Sequence, residues 1–198
     1  MANKIITISR EFGSGGRTIG RQAAQRLGIP CYDAELIEKI AEESGLAGDY
    51  IKEKGEHSVH ANPLANIFMS DRSHGGFSMQ DYLWNVQRQV ICDIADKESC
   101  VIVGRCADYI LRERQDLLTV FIHADMEKRV ERIEQVYGED ADTPTMRRVR
   151  DKDKRRKTYH RFYTDEEWGR AQNYHICLDS GVLGIDTCTD ILCGLYGR

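Results

Sequence analysis

The residues best suited to chemistry lie near the start of the chain, in the segment KIITISREFGSGGRTIG at positions 4–20. An apolar, β-branched run at 5–8 is followed by the glycine-rich stretch GSGG at 13–16, and then by helix-forming residues with apolar spacing. Glycines leave backbone N–H groups uncovered, and the first N–H groups of a helix attract anions. The segment therefore predicts a strand, a loop that holds phosphate groups and a helix.

The motif to compare with this segment is the Walker A pattern G-x-x-x-x-G-K-[ST]. When its end is aligned with Gly16, Arg17 and Thr18, Glu11 replaces the first glycine and Arg17 replaces the lysine. The dinucleotide-binding pattern G-x-G-x-x-G fits less well, because Thr18 stands where that pattern requires a glycine. An ordinary glycine-rich turn is the alternative, and the flanking strand and helix favour phosphate binding.

A second position with chemical potential follows the apolar run CVIV at 100–103, which is typical of a strand in the middle of a parallel sheet. Gly104 and Arg105 come directly after it. Ligands of open α/β sheets bind at the carboxyl ends of the strands, so Arg105 is a candidate phosphate ligand. A structural or surface ion pair is the alternative role for Arg105.

The most charged stretch lies between Thr145 and Tyr163, with nine Lys and Arg residues against two Asp residues from 147 to 161. A solvated helical face or a nucleic-acid patch explains such a stretch as well as a phosphate-closing lid does. Because a phosphate-binding loop is predicted elsewhere in the chain, the lid becomes the favoured interpretation.

The segment from 45 to 79 lacks a clear helical or strand pattern, and a loop of this length is usually functional or mobile. His57, His60 and His74 lie in it. Their spacing is not that of metal ligands and no cysteine lies nearby, so surface histidines on an insert are favoured over a metal site.

Apolar patterns predict how these residues are positioned. Strands are predicted at 5–8, 30–32, 100–103, 117–122 and 175–178, and helices at 19–27, 34–43, 80–97, from 126 onward and at 185–196. Asp33 and Asp125 are predicted to cap the helices that follow them. Met126, Val130, Ile133 and Tyr137 are predicted to form a buried face. Alternating strands and helices predict an α/β fold with a parallel sheet covered by helices on both faces.

Length and composition fit one α/β domain of 198 residues. The net charge of −4 argues against general affinity for nucleic acid or for an anionic membrane. Neither a membrane-spanning run nor a signal-peptide pattern is visible, so a cytoplasmic location is expected. Seven scattered cysteines without a C-x-x-C pair predict reduced thiols, and Cys31, Cys100 and Cys177, which lie in or beside predicted strands, are expected to be buried.

Five segments together resemble the cytidylate kinase family of nucleoside monophosphate kinases, and more closely its cytidylate kinase-like branch. They occur in the family's order and spacing and read IITISREFGSGGRTIGRQAAQRLG, IPCYD, VIVGRCADYIL, LLTVFIHADMEKRVERI and RDKDKRRK. The resemblance implies a three-layer P-loop NTPase fold with a five-stranded parallel sheet. It also implies one kinase domain with an acceptor-binding insert at about 45–79 and a basic lid at about 141–169.

The resemblance implies a kinase that transfers the γ-phosphoryl group of ATP, with Mg²⁺, to a small-molecule acceptor such as the nucleoside monophosphate CMP. Catalysis of this kind is mostly positioning and charge neutralisation. The implied nucleotide-binding residues are Gly13, Ser14, Gly15, Gly16, Arg17 and Thr18, and Thr18 is also the implied Mg²⁺ ligand.

The implied catalytic residues are Arg17, Arg105, Asp153 and Arg156, and in the basic stretch the pair Asp151 and Lys154 fits nearly as well. The implied acceptor-binding residues are Asp33, Lys39 and Arg105.

The chain departs from the family pattern at positions that concern the acceptor and turnover. Cys106 replaces the aspartate that follows glycine-arginine, and Ala34-Glu35-Leu36 replaces the threonine-glycine and phosphate-binding arginine after Asp33. These changes weigh against CMP as the acceptor. Glu11 and Arg17 leave a second hypothesis open, in which the chain is a non-catalytic nucleotide-binding module that keeps the kinase fold.

Overall fold

The computed structural model describes residues 4–37, 79–138 and 143–196. In this part of the chain five strands form one parallel sheet in the order β2-β3-β1-β4-β5. The strands are β1 (Ile5–Arg10), β2 (Cys31–Asp33), β3 (Cys100–Val103), β4 (Leu117–His123) and β5 (Ile176–Asp179).

Helices alternate with these strands along the described chain. They are α1 (Gly16–Leu27), α2 (Met79–Lys97), α3 (Ala107–Ile110), α4 (Met126–Tyr137), α5 (Thr145–Thr164), α6 (Ser180–Leu183) and α7 (Ile185–Tyr196), with a 3₁₀ turn at Ala171–Asn173. The chain is also helical over 34–37. The predicted α/β fold with five parallel strands is confirmed.

Two separate apolar cores lie on opposite faces of the sheet. On one face α1 and α7 pack over β1, β3 and β4 through residues such as Ile8, Ile19 and Leu192. On the other face α2 and α3 cover the sheet through residues such as Ile91 and Ile102. Strands buried on both sides explain the continuous apolar runs in the sequence.

The sheet topology brings the candidate residues to one edge. β1 lies between β3 and β4, with Ile8 opposite both Val103 and Val120. The Gly104 N–H donates to the Ile8 carbonyl at 3.0 Å, so the turn after β3 starts beside the end of β1. The glycine-rich loop and the Arg105 turn therefore meet at the carboxyl ends of neighbouring strands.

The structure corrects the predicted buried face of α4. Ile133 is buried as expected, but Tyr137 is 63% exposed, and Arg129 is only 6% exposed. The apolar spacing missed Arg129 because that arginine is buried through ion pairing, which a hydrophobic pattern does not register. Asp125 precedes the helix as predicted, but its side chain makes no capping hydrogen bond.

Other predicted elements shift slightly or lie outside the described residues. β5 runs from Ile176 to Asp179 instead of 175–178, and the short helices α3 and α6 were not predicted. Asp33 caps the turn at 34–37, because its Oδ1 accepts the Leu36 N–H at 3.2 Å. Lys39, His57, His60 and His74 and the insert at 45–78 lie outside the described residues.

The structure also shows the bonding state and the burial of the cysteines. All seven cysteines are free; Cys100 is buried as expected, whereas Cys31 and Cys177 are only half-buried. Burial raises the pKa of the Cys100 thiol to about 12, so this thiol stays protonated at neutral pH.

Within the described ranges, no helix combines the length and the apolar composition that crossing a bilayer requires.

The core beneath α2 provides a test of the packing. Ile102 is fully buried in β3, and we expect Ile102→Ala to lower the free energy of unfolding by about 2 to 5 kcal/mol. Val182 is 79% exposed, so Val182→Ala should change it by less than about 0.5 kcal/mol. Urea unfolding of both variants measures the difference, and equal effects would contradict the described core.

Candidate functional site

The glycine-rich loop is held in a fixed shape by Ser14. The Ser14 hydroxyl donates to the carbonyls of Glu11 at 2.9 Å and Ile122 at 3.1 Å. The Ser14 carbonyl accepts the Ser180 hydroxyl at 2.6 Å. Ser14 is 2% exposed; its side chain fastens the loop to β4, its backbone carbonyl fastens it to α6, and its hydroxyl is not presented at the surface of the loop.

Two of the loop glycines have backbone conformations that disfavour side chains. Gly13 has φ +85° and Gly15 has φ +79°. A Cβ on Gly13 would lie 2.7 Å from the Arg129 carbonyl oxygen, and one on Gly15 would collide with Ile185. The loop is therefore pressed against α4 and α7, and the glycines are required by space as well as by conformation.

Glu11, which replaces the first glycine of the Walker pattern, anchors the loop. Its Oε2 accepts the Ala124 N–H at 3.3 Å and lies 3.5 Å from Nε of Arg129. The carboxylate therefore joins the start of the loop to the end of β4 and to α4. This departure from the motif has a structural function.

Arg17 forms ion pairs with two carboxylates at the end of β2. Its guanidinium contacts the Asp33 and Glu35 carboxylates, each at 2.7 Å, and Arg21 also donates to Asp33 at 2.8 Å. Burial raises the pKa of Asp33, but hydrogen bonds from Arg17, Leu36 and Arg21 outweigh it and hold this pKa below its ordinary value. The planar guanidinium bridges two carboxylates at once, which a lysine ammonium does less well.

Arg10 runs across the carboxyl edge of the sheet from α1 to the turn after β3. Its Cβ lies where a side chain on Gly16 would stand, and its Nη1 occupies the place of a Cβ on Gly104. Gly104 has φ +84°, which also favours glycine. Both glycines thus make room for the same arginine.

Arg10 stands among other cations. Burial, together with Arg156, Arg105 and Arg17, lowers the pKa of Arg10 to about 9, and the Asp33 carboxylate acts weakly in the opposite direction. Within the described residues no carboxylate forms an ion pair with Arg10. Partly buried positive charge without a paired carboxylate is unfavourable, and an anionic ligand relieves it.

The turn that carries Arg105 has an unusual backbone. Arg105 and Cys106 have φ +58° and +53°, directly after the left-handed Gly104. The Arg105 carbonyl accepts the Gln87 side-chain amide at 3.4 Å, and Gln87 also donates to the Tyr159 hydroxyl at 3.0 Å. Left-handed residues other than glycine cost about 1 kcal/mol or more each, and they concentrate at functional sites.

The basic stretch forms the single helix α5, which packs onto the loop through Asp153. The Phe12 N–H donates to Oδ1 of Asp153 at 2.7 Å, and Arg129 donates to Oδ2 at 2.5 Å. The Arg156 guanidinium donates to the Arg10 carbonyl at 3.1 Å and also lies over the Phe12 ring. Asp153 of α5 is therefore buried against the loop and α4.

Aromatic rings hold the second half of α5 against α2. Trp84 stacks on Tyr163 with ring centroids 4.2 Å apart and an interplanar angle of 5°. Tyr159 meets both rings edge-on. These contacts and the Gln87 hydrogen bond place α5 over the turn that carries Arg105.

Below this edge, His160 of α5 faces Asp108 of α3. The two side chains are 3% and 7% exposed, and Nε2 of His160 lies 3.7 Å from Oδ2 of Asp108, which also accepts the Ser9 hydroxyl at 3.4 Å. Burial lowers the pKa of His160, but Asp108 and, to a smaller extent, Glu166 outweigh burial and the net pKa is raised.

Thr18 was predicted to bind Mg²⁺, and the described residues do not fit that ion as they stand. The Thr18 hydroxyl accepts a hydrogen bond from Nη2 of Arg132 at 2.9 Å. In the described ranges no three His, Cys, Asp or Glu residues group as metal ligands do. Mg²⁺ prefers carboxylate and phosphate oxygens, whereas here a guanidinium contacts the hydroxyl.

A model of the cytidylate kinase-like family matches residues 5–182. The chain belongs to the cytidylate kinase-like family. Curated proteins gave no match. The predicted resemblance is thereby confirmed at the level of the family.

Solved structures extend this comparison to the fold. An uncharacterized protein from Eubacterium ventriosum ATCC 27560 is 29% identical over 99% of both chains, with a TM-score of 0.75. Shikimate kinase from Bacteroides thetaiotaomicron is 16% identical, with a TM-score of 0.54, over 98% of this chain and 99% of that one. A gluconokinase from Sinorhizobium meliloti 1021 is 14% identical, with a TM-score of 0.52, over 99% and 94%. The last two comparisons show that the fold is that of P-loop kinases.

In this cytidylate kinase-like chain the structure brings most of the predicted residues to one edge of the sheet. The glycine loop, Thr18, Arg105, Asp153 and Arg156 meet there, whereas Arg17 turns toward Asp33. Lys39 lies outside the described residues. The catalytic and binding roles of these residues stay predictions.

Sequence reasoning missed two arginines of α4, Arg129 and Arg132. The signal for the α4 pair was available: cations three residues apart share a helix face, and this helix follows the carboxyl end of a buried strand.

The junction at Asp153 predicts a large effect on stability. Asp153→Asn removes the shorter of the two ion pairs of the buried Arg129 and leaves only the 3.5 Å contact with Glu11, so we expect a loss of about 3 kcal/mol in the free energy of unfolding. Asp151→Asn, on the exposed side of the same helix, should cost less than about 0.5 kcal/mol. Urea unfolding compares them, and similar losses would contradict the described role of Asp153.

The Asp108 and His160 pair predicts a pH dependence. Since the folded pKa of His160 is raised, the stabilisation from the pair is complete below the ordinary histidine pKa and disappears as pH rises through the folded value. The free energy of unfolding of the parent should therefore exceed that of Asp108→Asn by more at about pH 6 than at about pH 9. Asp93→Asn, an exposed control, should show no such change. A difference that is independent of pH would argue against the pair.

Proposed function

We propose that this chain is a kinase that transfers the γ-phosphoryl group of ATP to a small-molecule acceptor bearing a phosphate or hydroxyl group. Family membership and the P-loop kinase fold support the reaction class. The observation that carries the proposal is the position of Arg10, whose pKa is lowered to about 9 among three further arginines beside the glycine loop.

On the donor side, the loop N–H groups and the first turn of α1 bind the nucleotide phosphates. Arg10 and Arg156 approach from the end of β1 and from α5 and neutralise the charge of the phosphoryl group in transfer. Because Asp153 and the aromatic contacts fix α5 over the loop, this helix excludes water from the phosphates.

On the acceptor side, Arg105 follows β3 and binds the acceptor, and Asp33 lies at the neighbouring end of β2. Cys106 is 5% exposed, and burial raises the pKa of its thiol, so this position is neutral where the family pattern has a carboxylate. Asp108 does not replace that carboxylate, since it is buried against Ser9 and His160. We therefore propose an acceptor other than CMP, and nucleic acid is not proposed as a partner.

Calorimetry and a coupled assay test the proposal. Titration with ATP and with a non-hydrolysable ATP analogue should show binding, and ADP release should increase with one member of a panel of nucleoside monophosphates and small hydroxyl compounds. The assay is run with and without Mg²⁺, which the resemblance implies. Absence of ATP and ADP binding under all conditions would reject the proposal.

Arg10→Gln separates a binding role from a structural one. Since the charged form of Arg10 is disfavoured in the folded chain, the variant should unfold at an equal or higher urea concentration than the parent. It should bind ATP at least about tenfold more weakly, because a phosphate contact is lost. Arg170→Gln, an exposed control, should change neither quantity. A destabilised variant with unchanged affinity would assign Arg10 a structural role.

A second candidate function is a non-catalytic nucleotide-binding module. It is favoured by Arg17, which replaces the lysine of the motif and is held by Asp33 and Glu35. This candidate predicts ATP binding in the calorimeter without ADP release for any acceptor in the panel.

A further inference from the structure

Arg132 reaches from α4 across the mouth of the glycine loop. Besides its 2.9 Å hydrogen bond to the Thr18 hydroxyl, its Nε and Cζ would lie 3.1 and 3.3 Å from a Cβ on Gly15. The guanidinium of Arg132 is thus packed closely against the backbone of the loop. The side chain therefore lies against the loop at the start of α1, where nucleotide phosphates are proposed to bind.

The carboxylates that contact the glycine loop or α1 are already paired with arginines, which does not favour a divalent cation. The carboxylates of Glu11 and Asp153 face Arg129, and Asp33 is held by Arg17 and Arg21. A guanidinium on the Thr18 hydroxyl repels a dication and competes for the lone pairs that would coordinate it. The same guanidinium suits a phosphate, because its planar N–H groups match phosphate oxygens.

We propose that Arg132 replaces the divalent cation as the counter-ion of the nucleotide phosphates, so that nucleotide binding at this loop does not require metal. The inference rests on the proposed function, since it concerns the phosphates of the same nucleotide. The Thr18 hydroxyl then orients Arg132 and does not coordinate metal. Arg132 is a phosphate-binding residue in this arrangement, in addition to the residues predicted from the sequence.

The first test is the affinity of the parent chain for ATP in EDTA and in excess Mg²⁺, measured by calorimetry. We expect the two dissociation constants to agree within about threefold, because Arg132 supplies the charge in both cases. A loss of about tenfold or more in EDTA would overturn the inference and leave the proposed function standing. Absence of binding in both conditions is the separate outcome that rejects the proposed function.

Variants sharpen this test. Arg132→Gln should weaken ATP binding in EDTA at least about tenfold and should recover part of the affinity in Mg²⁺, because the Thr18 hydroxyl is then released for the metal. Arg26→Gln, at the far end of α1 and paired with Asp190, is the control and should behave as the parent. An Arg132→Gln variant that folds, as judged by circular dichroism, and binds ATP like the parent in EDTA would also overturn the inference.

Discussion

The carboxylate of Asp153 holds the candidate site together. One of its oxygens accepts the backbone N–H of Phe12 in the glycine loop, and the other accepts the guanidinium of Arg129 on α4. Three segments that are far apart in the sequence thus converge on one buried carboxylate. Such a pair is costly to bury and strongly destabilising to break from one side, so it fixes where α5 lies more than it adds net stability. The position of Arg156 over the loop depends on it.

This arrangement leaves the carboxyl edge of the sheet with an excess of positive charge. Arg129 is compensated by Asp153 and Glu11, and Arg17 by Asp33 and Glu35. Arg10 has no such partner among the described residues, and burial, together with the neighbouring arginines, lowers its pKa. A site that binds an anion tolerates such an excess in the free protein, because the ligand's charge removes it.

The departures from the Walker pattern acquire physical explanations from these contacts. A loop that only surrounds phosphate with its backbone has no need of a glutamate in place of a glycine. The Glu11 carboxylate makes structural contacts instead, because it accepts the Ala124 N–H and lies against Arg129. The planar guanidinium of Arg17 contacts the Asp33 and Glu35 carboxylates at once, which a lysine ammonium would do less well. Cys106 remains a neutral, buried thiol. In this kinase fold, ion pairs thus attach the glycine-rich loop to α4 and the start of α1 to the end of β2.

The sequence by itself determined the fold class, because alternating apolar strands and helices permit few arrangements other than a parallel sheet with two covered faces. It also located the loop and the turn after β3, since glycines and strand ends are local signals. Only the tertiary structure decided the direction of Arg17 and the burial of Arg129, because both depend on carboxylates distant in the sequence. The contact of Arg132 with Thr18 is likewise invisible to a local pattern, since 114 positions separate the two residues.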